Sequence, residues 1–178
     1  MDEVITCFGS LFDYVYKIQT DKTYTDKDVV KYKNLIEIHC WGNKITDASI
    51  KNLTKLESLN AFLNYTITDE SIFELNNLTR LECGNCSRIT DEGLKYLKNL
   101  TYLNCSGCKN ITDDTVKEFT KLTFLDCTHN DNITDVSIKE LKLLETLSCI
   151  ENTMITDYGI SNLKNLTSLE CWSCDGIT

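Results

Sequence analysis

Apolar residues along this chain keep a 22-residue beat. One row of leucines runs Leu56, Leu78, Leu100, Leu122, Leu144 and Leu166, and a second runs Leu59, Leu81, Leu103, Leu125, Leu147 and Leu169. Two residues after each of the second row stands a small apolar group: Ala61, Cys83, Cys105, Cys127, Cys149 and Cys171. Three further on comes Asn or Cys (Asn64, Cys86, Cys108, Asn130, Asn152, Cys174), and then the triplet Ile-Thr-Asp, beginning at Ile45, Ile67, Ile89, Ile111, Ile133 and Ile155. The spacing changes character inside each unit. Leu-x-Cys alternates, which puts both side chains on one face of a short strand. After Thr-Asp the apolar spacing becomes three, as in Leu94, Leu97 and Leu100, which suits one or two helical turns on the same core. Threonine and aspartate are good N-caps, and an acid in the first turn suits the helix dipole. Each unit is therefore predicted to be a strand, a turn and a short helix. A lone unit buries too few side chains to offset the entropy of ordering its backbone, so the units must stack, as a parallel sheet with rungs about 4.8 Å apart.

Written out, the unit is L-x-x-L-x-C-x-x-N/C-x-x-I-T-D-x-x-I-x-x-L-x-x. It resembles the leucine-rich repeat pattern over Leu35 to Thr178. The first interval, from Ile38 and Cys40 through Asn43 to Ile45, is one residue short. The resemblance implies an α/β leucine-rich repeat solenoid, a horseshoe with a parallel concave sheet and short helices on the convex side. Residues 1–34 are expected to form an N-terminal cap and a degenerate first repeat, with Tyr16, Ile18, Asp21 and Tyr24 near repeat offsets and Val4, Phe8, Leu11, Phe12 and Val15 on a capping helix. Residues 35–178 carry the repeats, the last one incomplete. That last unit breaks off after Ile177, which reads either as a piece of a longer protein or as an open end that meets a partner. Two subclasses share these features. Cysteine at the two positions before Ile-Thr-Asp, with Thr90-Asp91-Glu92-Gly93-Leu94, resembles the repeats of F-box ubiquitin-ligase adaptors, although a further late cysteine of those repeats is missing. The 22-residue length and the phrase Asn99-Leu100-Thr101-Tyr102-Leu103 resemble internalin-like bacterial repeats. Both imply protein binding.

Charge narrows the partner class. Eighteen basic residues face 27 acidic ones, a net charge of −9, the opposite of what a nucleic-acid backbone binder carries. No apolar run approaches membrane-spanning length, and no basic, apolar leader is visible at Met1. Buried reduced thiols fit a cytoplasmic setting, which is the expected location. The N-x-S/T sequons mostly arise from the repeat phrases N-L-T and N-I-T and carry little weight against it.

Ten cysteines could carry chemistry. Cys83, Cys86, Cys105 and Cys108 satisfy a zinc-ribbon spacing. The repeat explains them better, because the same two positions elsewhere hold Cys40 with Asn43, Cys127 with Asn130 and Cys149 with Asn152. Asparagine is no zinc ligand but can satisfy turn backbone groups. A buried thiol fills the same space. No metal, cofactor or catalytic residue is therefore assigned. The two histidines, His39 and His129, fall four units apart, about 19 Å, too far to share a site.

Residues flanking Leu-x-Cys face away from the core and line the concave sheet. The outward columns vary while the inward ones hold, and they contain large apolar groups: Trp41 and Phe62 in one column, Tyr102 and Phe124 in another, Ile150 and Trp172 further along. Arg80, Glu82, Asn104, Asp126 and Glu170 complete the candidate protein-binding surface, and its acids favour a partner with basic surface groups. The expected function is a non-catalytic protein-interaction module that binds on the concave sheet, with no nucleic acid and no membrane. A ubiquitin-ligase substrate-recognition subunit without a visible F-box and a secreted or surface internalin-like adhesin are the alternatives. In chemical denaturation, Leu103→Ala or Leu125→Ala is expected to cost about 2–5 kcal/mol as a core truncation, and Tyr102→Ala is expected to leave stability nearly unchanged. The reverse ranking would invert the assignment of inward and outward columns.

Overall fold

Alternation in the Leu-x-Cys segments produces short strands, and each Thr-Asp produces one helical turn. In the computed structural model, which describes residues 17–20, 24–42 and 44–178, the strands are β1 (Lys17–Thr20), β2 (Glu37–Cys40), β3 (Ser58–Asn60), β4 (Arg80–Glu82), β5 (Tyr102–Asn104), β6 (Phe124–Asp126), β7 (Thr146–Ser148) and β8 (Ser168–Glu170). The helices alternate with them: α1 (Asp26–Val29), α2 (Asp47–Ile50), α3 (Asp69–Ile72), α4 (Asp91–Leu94), α5 (Asp113–Val116), α6 (Asp135–Ile138) and α7 (Asp157–Ile160). All eight strands form one parallel sheet in sequence order. This is an α/β leucine-rich repeat solenoid. The capping helix expected from Val4 to Val15, and Tyr16, Asp21 and Asn43, lie outside the described residues. No helix among the described residues is long and apolar enough to cross a membrane.

The register stacks like on like. Leu59 pairs with Leu81, Leu81 with Leu103, Leu103 with Leu125 and Leu125 with Leu147. These leucines, the Ile of each Ile-Thr-Asp and the cysteine ladder Cys83, Cys105, Cys127 and Cys149 are all fully buried. β1 carries Ile18 into the same core, paired with Ile38 of β2. The shortened first interval is absorbed between Cys40 and Ile45: Asn64 of the next unit still donates through Nδ2 to the Cys40 carbonyl at 3.2 Å and the Ile45 carbonyl at 3.0 Å.

The backbone ladder runs past the strands at both ends. At the strand entry Tyr102 and Thr101 donate to the Thr79 carbonyl, and Phe124 and Thr123 to that of Thr101. At the exit Cys83 donates to Asn104, Asn85 to Ser106 and His129 to Ile150. The rungs from β3 to β7 are thus each tied to the next through the turn as well as the strand.

Side chains extend the ladder into the helices. Helices α2 to α7 are each capped by their own threonine: the Thr112 hydroxyl, for example, accepts the Asp114 amide. The aspartate that follows reaches across to the next unit. Asp69 accepts the Thr90 amide at 2.7 Å and its hydroxyl at 2.7 Å, Asp91 does the same for Thr112 at 2.9 and 2.7 Å, and Asp113 for Thr134 at 2.8 and 2.6 Å. Asp113 also accepts the Ser137 amide at 3.2 Å. The sequence suggests a local helix-dipole role for this aspartate; its principal partners are in the neighbouring unit. Charge-assisted bonds of this kind are stronger than neutral ones. Asp113→Ala is therefore expected to lower stability in urea denaturation by about 1–3 kcal/mol. A loss under about 0.5 kcal/mol, the range of featureless surface changes, would contradict this role.

Candidate functional site

The outward columns form a rigid strip of side chains on the concave face. β5 and β6 set Tyr102 directly beside Phe124, and their rings stack at 3.9 Å between centroids and 2° between planes. Arg80, one rung earlier on β4, lays its guanidinium over the other face of Tyr102, with Cζ 3.4 Å from the ring centroid. That guanidinium also donates to Glu82, and Glu82 accepts a further bond from Asn60 Nδ2 at 2.9 Å. Partial burial pushes the Tyr102 phenol above its ordinary pKa, with Arg80 opposing the shift. Arg80, Tyr102 and Phe124 thus make a three-layer stack across three rungs. The stack gives Tyr102 more contact than an isolated outward side chain has, about 0.5–1.5 kcal/mol for an aromatic pair, still below the cost of a core truncation.

Beside the stack lies a groove of about 690 Å³. Asn104, Asp126, Ser148 and Glu170, the residues between each Leu and Cys, form its floor, and Phe62 and Ile150 contribute apolar wall. The floor is hydrogen-bonded along its length. Asn104 accepts the Ser106 amide and hydroxyl, Asp126 accepts the Thr128 amide at 3.0 Å, Thr128 meets Ser148 at 3.2 Å and Ser148 donates to Glu170 at 3.1 Å. The outward acids differ in how they are neutralised. Glu37 is held by Lys17 at 2.6 Å and His39 at 2.8 Å, which keeps its carboxyl below the usual range despite burial that opposes this, and Glu82 is held by Arg80. Among the described residues Asp126 and Glu170 have no basic side chain within ion-pair distance.

The opposite wall comes from the turn that follows each strand, which the sequence reading left out of the site. Asn85, Gly107, Lys109 and His129 line it. At this turn the units of β2 to β8 enter the left-handed region: Gly42 and Gly107, but also Leu63, Asn85, His129, Glu151 and Ser173, with φ between 55° and 61° for the five non-glycines. Side chains other than glycine cost on the order of 1 kcal/mol in this conformation. His129 Nδ1 and Glu151 Oε2 lie 3.3 Å apart along this rim. The signal was present in the sequence, since glycine recurs at this offset at Gly42 and Gly107.

Of the sequence-selected residues, the structure gathers Phe62, Asn104, Asp126, Ile150 and Glu170 around the groove and Arg80, Glu82, Tyr102 and Phe124 around the stack. Phe62 lies over Gly84, where an added Cβ would come within 2.7 Å of its ring. Trp41 and Trp172 stand apart at the two ends of the strip, 55% and 76% exposed. Among the described residues no ring stack joins Trp41 to Phe62.

The cysteines face the other way. At the Asn/Cys position the thiol does the amide's work: Cys86 Sγ donates to the Ala61 carbonyl at 2.9 Å, Cys108 to Cys83 at 2.9 Å and Cys174 to Cys149 at 2.8 Å, where Asn130 and Asn152 donate from Nδ2 to carbonyls of the preceding unit. Burial pushes Cys86 up to about 12 and raises Cys40, Cys105, Cys127 and Cys149 well above an ordinary thiol. Among the described residues no three His, Cys, Asp or Glu side chains are grouped to hold a metal, and Cys83, Cys86, Cys105 and Cys108 are each occupied with backbone carbonyls.

No family model matches the chain, and no curated protein matches it in sequence. Solved structures do. The functional domain of InlJ from Listeria monocytogenes, described as including a cysteine ladder, is 27% identical with a TM-score of 0.65, over 90% of this chain and 33% of that one. Internalin C2 from the same organism is 27% identical with a TM-score of 0.75, over 94% of this chain and 75% of that one. The chain therefore spans a third of the InlJ domain. The yeast Rad7 and Elc1 complex, at 21% identity and a TM-score of 0.57, shares the fold.

The thiols supply a direct check of the inward columns. With an alkylating reagent at pH 8, half-buried Cys171 should react in the native protein. The buried thiols Cys40, Cys83, Cys86, Cys105, Cys108, Cys127, Cys149 and Cys174 should react only on unfolding. Fast native labelling of Cys105 or Cys127, located by peptide mapping, would contradict the packing.

Proposed function

We propose that this leucine-rich repeat protein is a non-catalytic interaction module that engages a protein partner on its concave sheet. The observation that carries the reading is the Arg80–Tyr102–Phe124 stack, an ordered aromatic and guanidinium surface facing outward from a rigid sheet. Tyr and Arg are enriched at the hot spots of protein interfaces, and here the entropy of ordering them is reduced by mutual stacking before any partner arrives. Acidic floor residues beside the stack favour a partner with basic groups. The neighbour solved as the Rad7 and Elc1 complex fits the use of such a fold for assembly.

A non-catalytic role agrees with the state of the nucleophile candidates. Burial raises the Cys105 and Cys127 thiols well above an ordinary thiol, and His39 and His129 each stand against a glutamate. Free thiols at every described cysteine support a reducing, cytoplasmic location. A second reading, an internalin-like surface adhesin, is favoured by the 27% identity to InlJ and its cysteine ladder. Cell fractionation with an antibody to the native protein separates the two: signal in the cytoplasmic fraction supports the first, and signal at the surface or in the medium the second.

The concave-face reading is tested by affinity capture with wild type beside a folded Tyr102→Ala/Phe124→Ala double variant, read by mass spectrometry. Partners should be lost with the variant, as for a hot-spot truncation worth about tenfold or more in affinity. Partners retained undiminished would move the site off this face.

A further inference from the structure

The groove has two chemically different walls, and together they define what fits between them. Its floor carries Asp126 and Glu170, which lack the internal cations that Glu37 and Glu82 possess. Ser148 sits on the rung between them. Ser148 donates to the Glu170 carboxylate at 3.1 Å, so a cation over Ser148 meets Glu170 directly and has Asp126 one rung, about 4.8 Å, away. The other wall is the left-handed rim, with Lys109 and His129. His129 stands on the rim one unit after Gly107, in the left-handed conformation that Leu63, Asn85, Glu151 and Ser173 share, and its imidazole lines the groove.

We infer that this groove, within the concave-face reading above and resting on it, receives an extended segment of the protein partner whose arginine or lysine side chain points at the floor between Asp126 and Glu170, with His129 a specificity-determining residue on the rim. An extended chain suits the groove because its side chains alternate, so one can reach the floor while the next lies against Phe62 or Ile150. A folded, flat partner surface would meet the stack but not enter the groove. The acidic floor excludes an acidic segment by like-charge repulsion, and Lys109 and His129 favour a segment that is not uniformly basic.

The test is selection of a phage-displayed random dodecapeptide library on the intact wild-type protein, followed by titration of the best synthetic peptide against three variants checked for fold by circular dichroism. The expected peptides share one Arg or Lys at a fixed position. Asp126→Asn/Glu170→Gln should weaken binding about tenfold or more, as loss of a charged hydrogen-bonded partner does. His129→Gly should weaken it severalfold with a melting midpoint unchanged or raised, a pairing that a merely structural role would not give. Selected peptides without a shared basic residue, or indifferent to Asp126→Asn/Glu170→Gln, would overturn the inference. If the same peptides are still lost with Tyr102→Ala/Phe124→Ala, the concave-face reading stands. Unchanged binding to His129→Gly would remove the rim from the site. A selection that returns nothing, or peptides indifferent to all three variants, would contradict both the inference and the reading beneath it.

Discussion

A 22-residue unit with one three-residue strand and one helical turn cannot satisfy its own polar groups, and the structure is organised by that shortage. The turns and helix starts expose amides and hydroxyls that water would otherwise have to meet; local caps meet some of them and the adjacent unit meets others. The aspartate of Ile-Thr-Asp accepts the next threonine's amide and hydroxyl; asparagine or cysteine at the turn donates to the preceding unit's carbonyls. The turn bonds are buried beneath the leucine columns, where they are worth most, and the carboxylate bonds are half-buried at the helix starts. Stability in such an arrangement belongs to the interfaces between units rather than to the units.

That distribution of constraint explains which positions vary. A leucine, the Thr-Asp pair and the turn Asn/Cys are each fixed by two neighbours at once, so they repeat. The three outward positions per strand contact only one another and are free to differ from rung to rung. The sheet beneath them is rigid and its register exact in sequence spacing, so differences between rungs become a fixed surface pattern. Tyr102 and Phe124 stack flat because the parallel register holds their backbones side by side. Arg80 is drawn over Tyr102 while Glu82 anchors it.

The fold was legible in the sequence because inward and outward positions alternate with a period that six consecutive intervals share. The structural meaning of the cysteines was legible for the same reason: where Cys86 and Cys108 stand, other units have asparagine, and both donate to a neighbouring carbonyl. Other features depended on distances between units and were not legible. Thr-Asp reads as a local cap, and nothing within one unit says that Asp91 spans to Thr112. The acids Glu82 and Asp126 look alike in the alternating pattern, yet one is neutralised by Arg80 and the other is left to the groove. The rim was only faintly legible, because glycine marks its conformation at Gly42 and Gly107 while Leu63, Asn85, His129, Glu151 and Ser173 adopt it with unrelated side chains.

The unit-to-unit bonds, the carboxylate ladder among them, hold the solenoid. This is tested most directly by native-state hydrogen exchange on wild type beside Asp91→Ala. Asp91 accepts the Thr112 amide of the following unit. The expected result is loss of protection at Thr112, spreading to amides of the units on both sides while distant rungs keep theirs. Faster exchange confined to the α4 turn that contains Asp91, with Thr112 still protected, would show that the aspartate serves its own helix alone and would contradict the account.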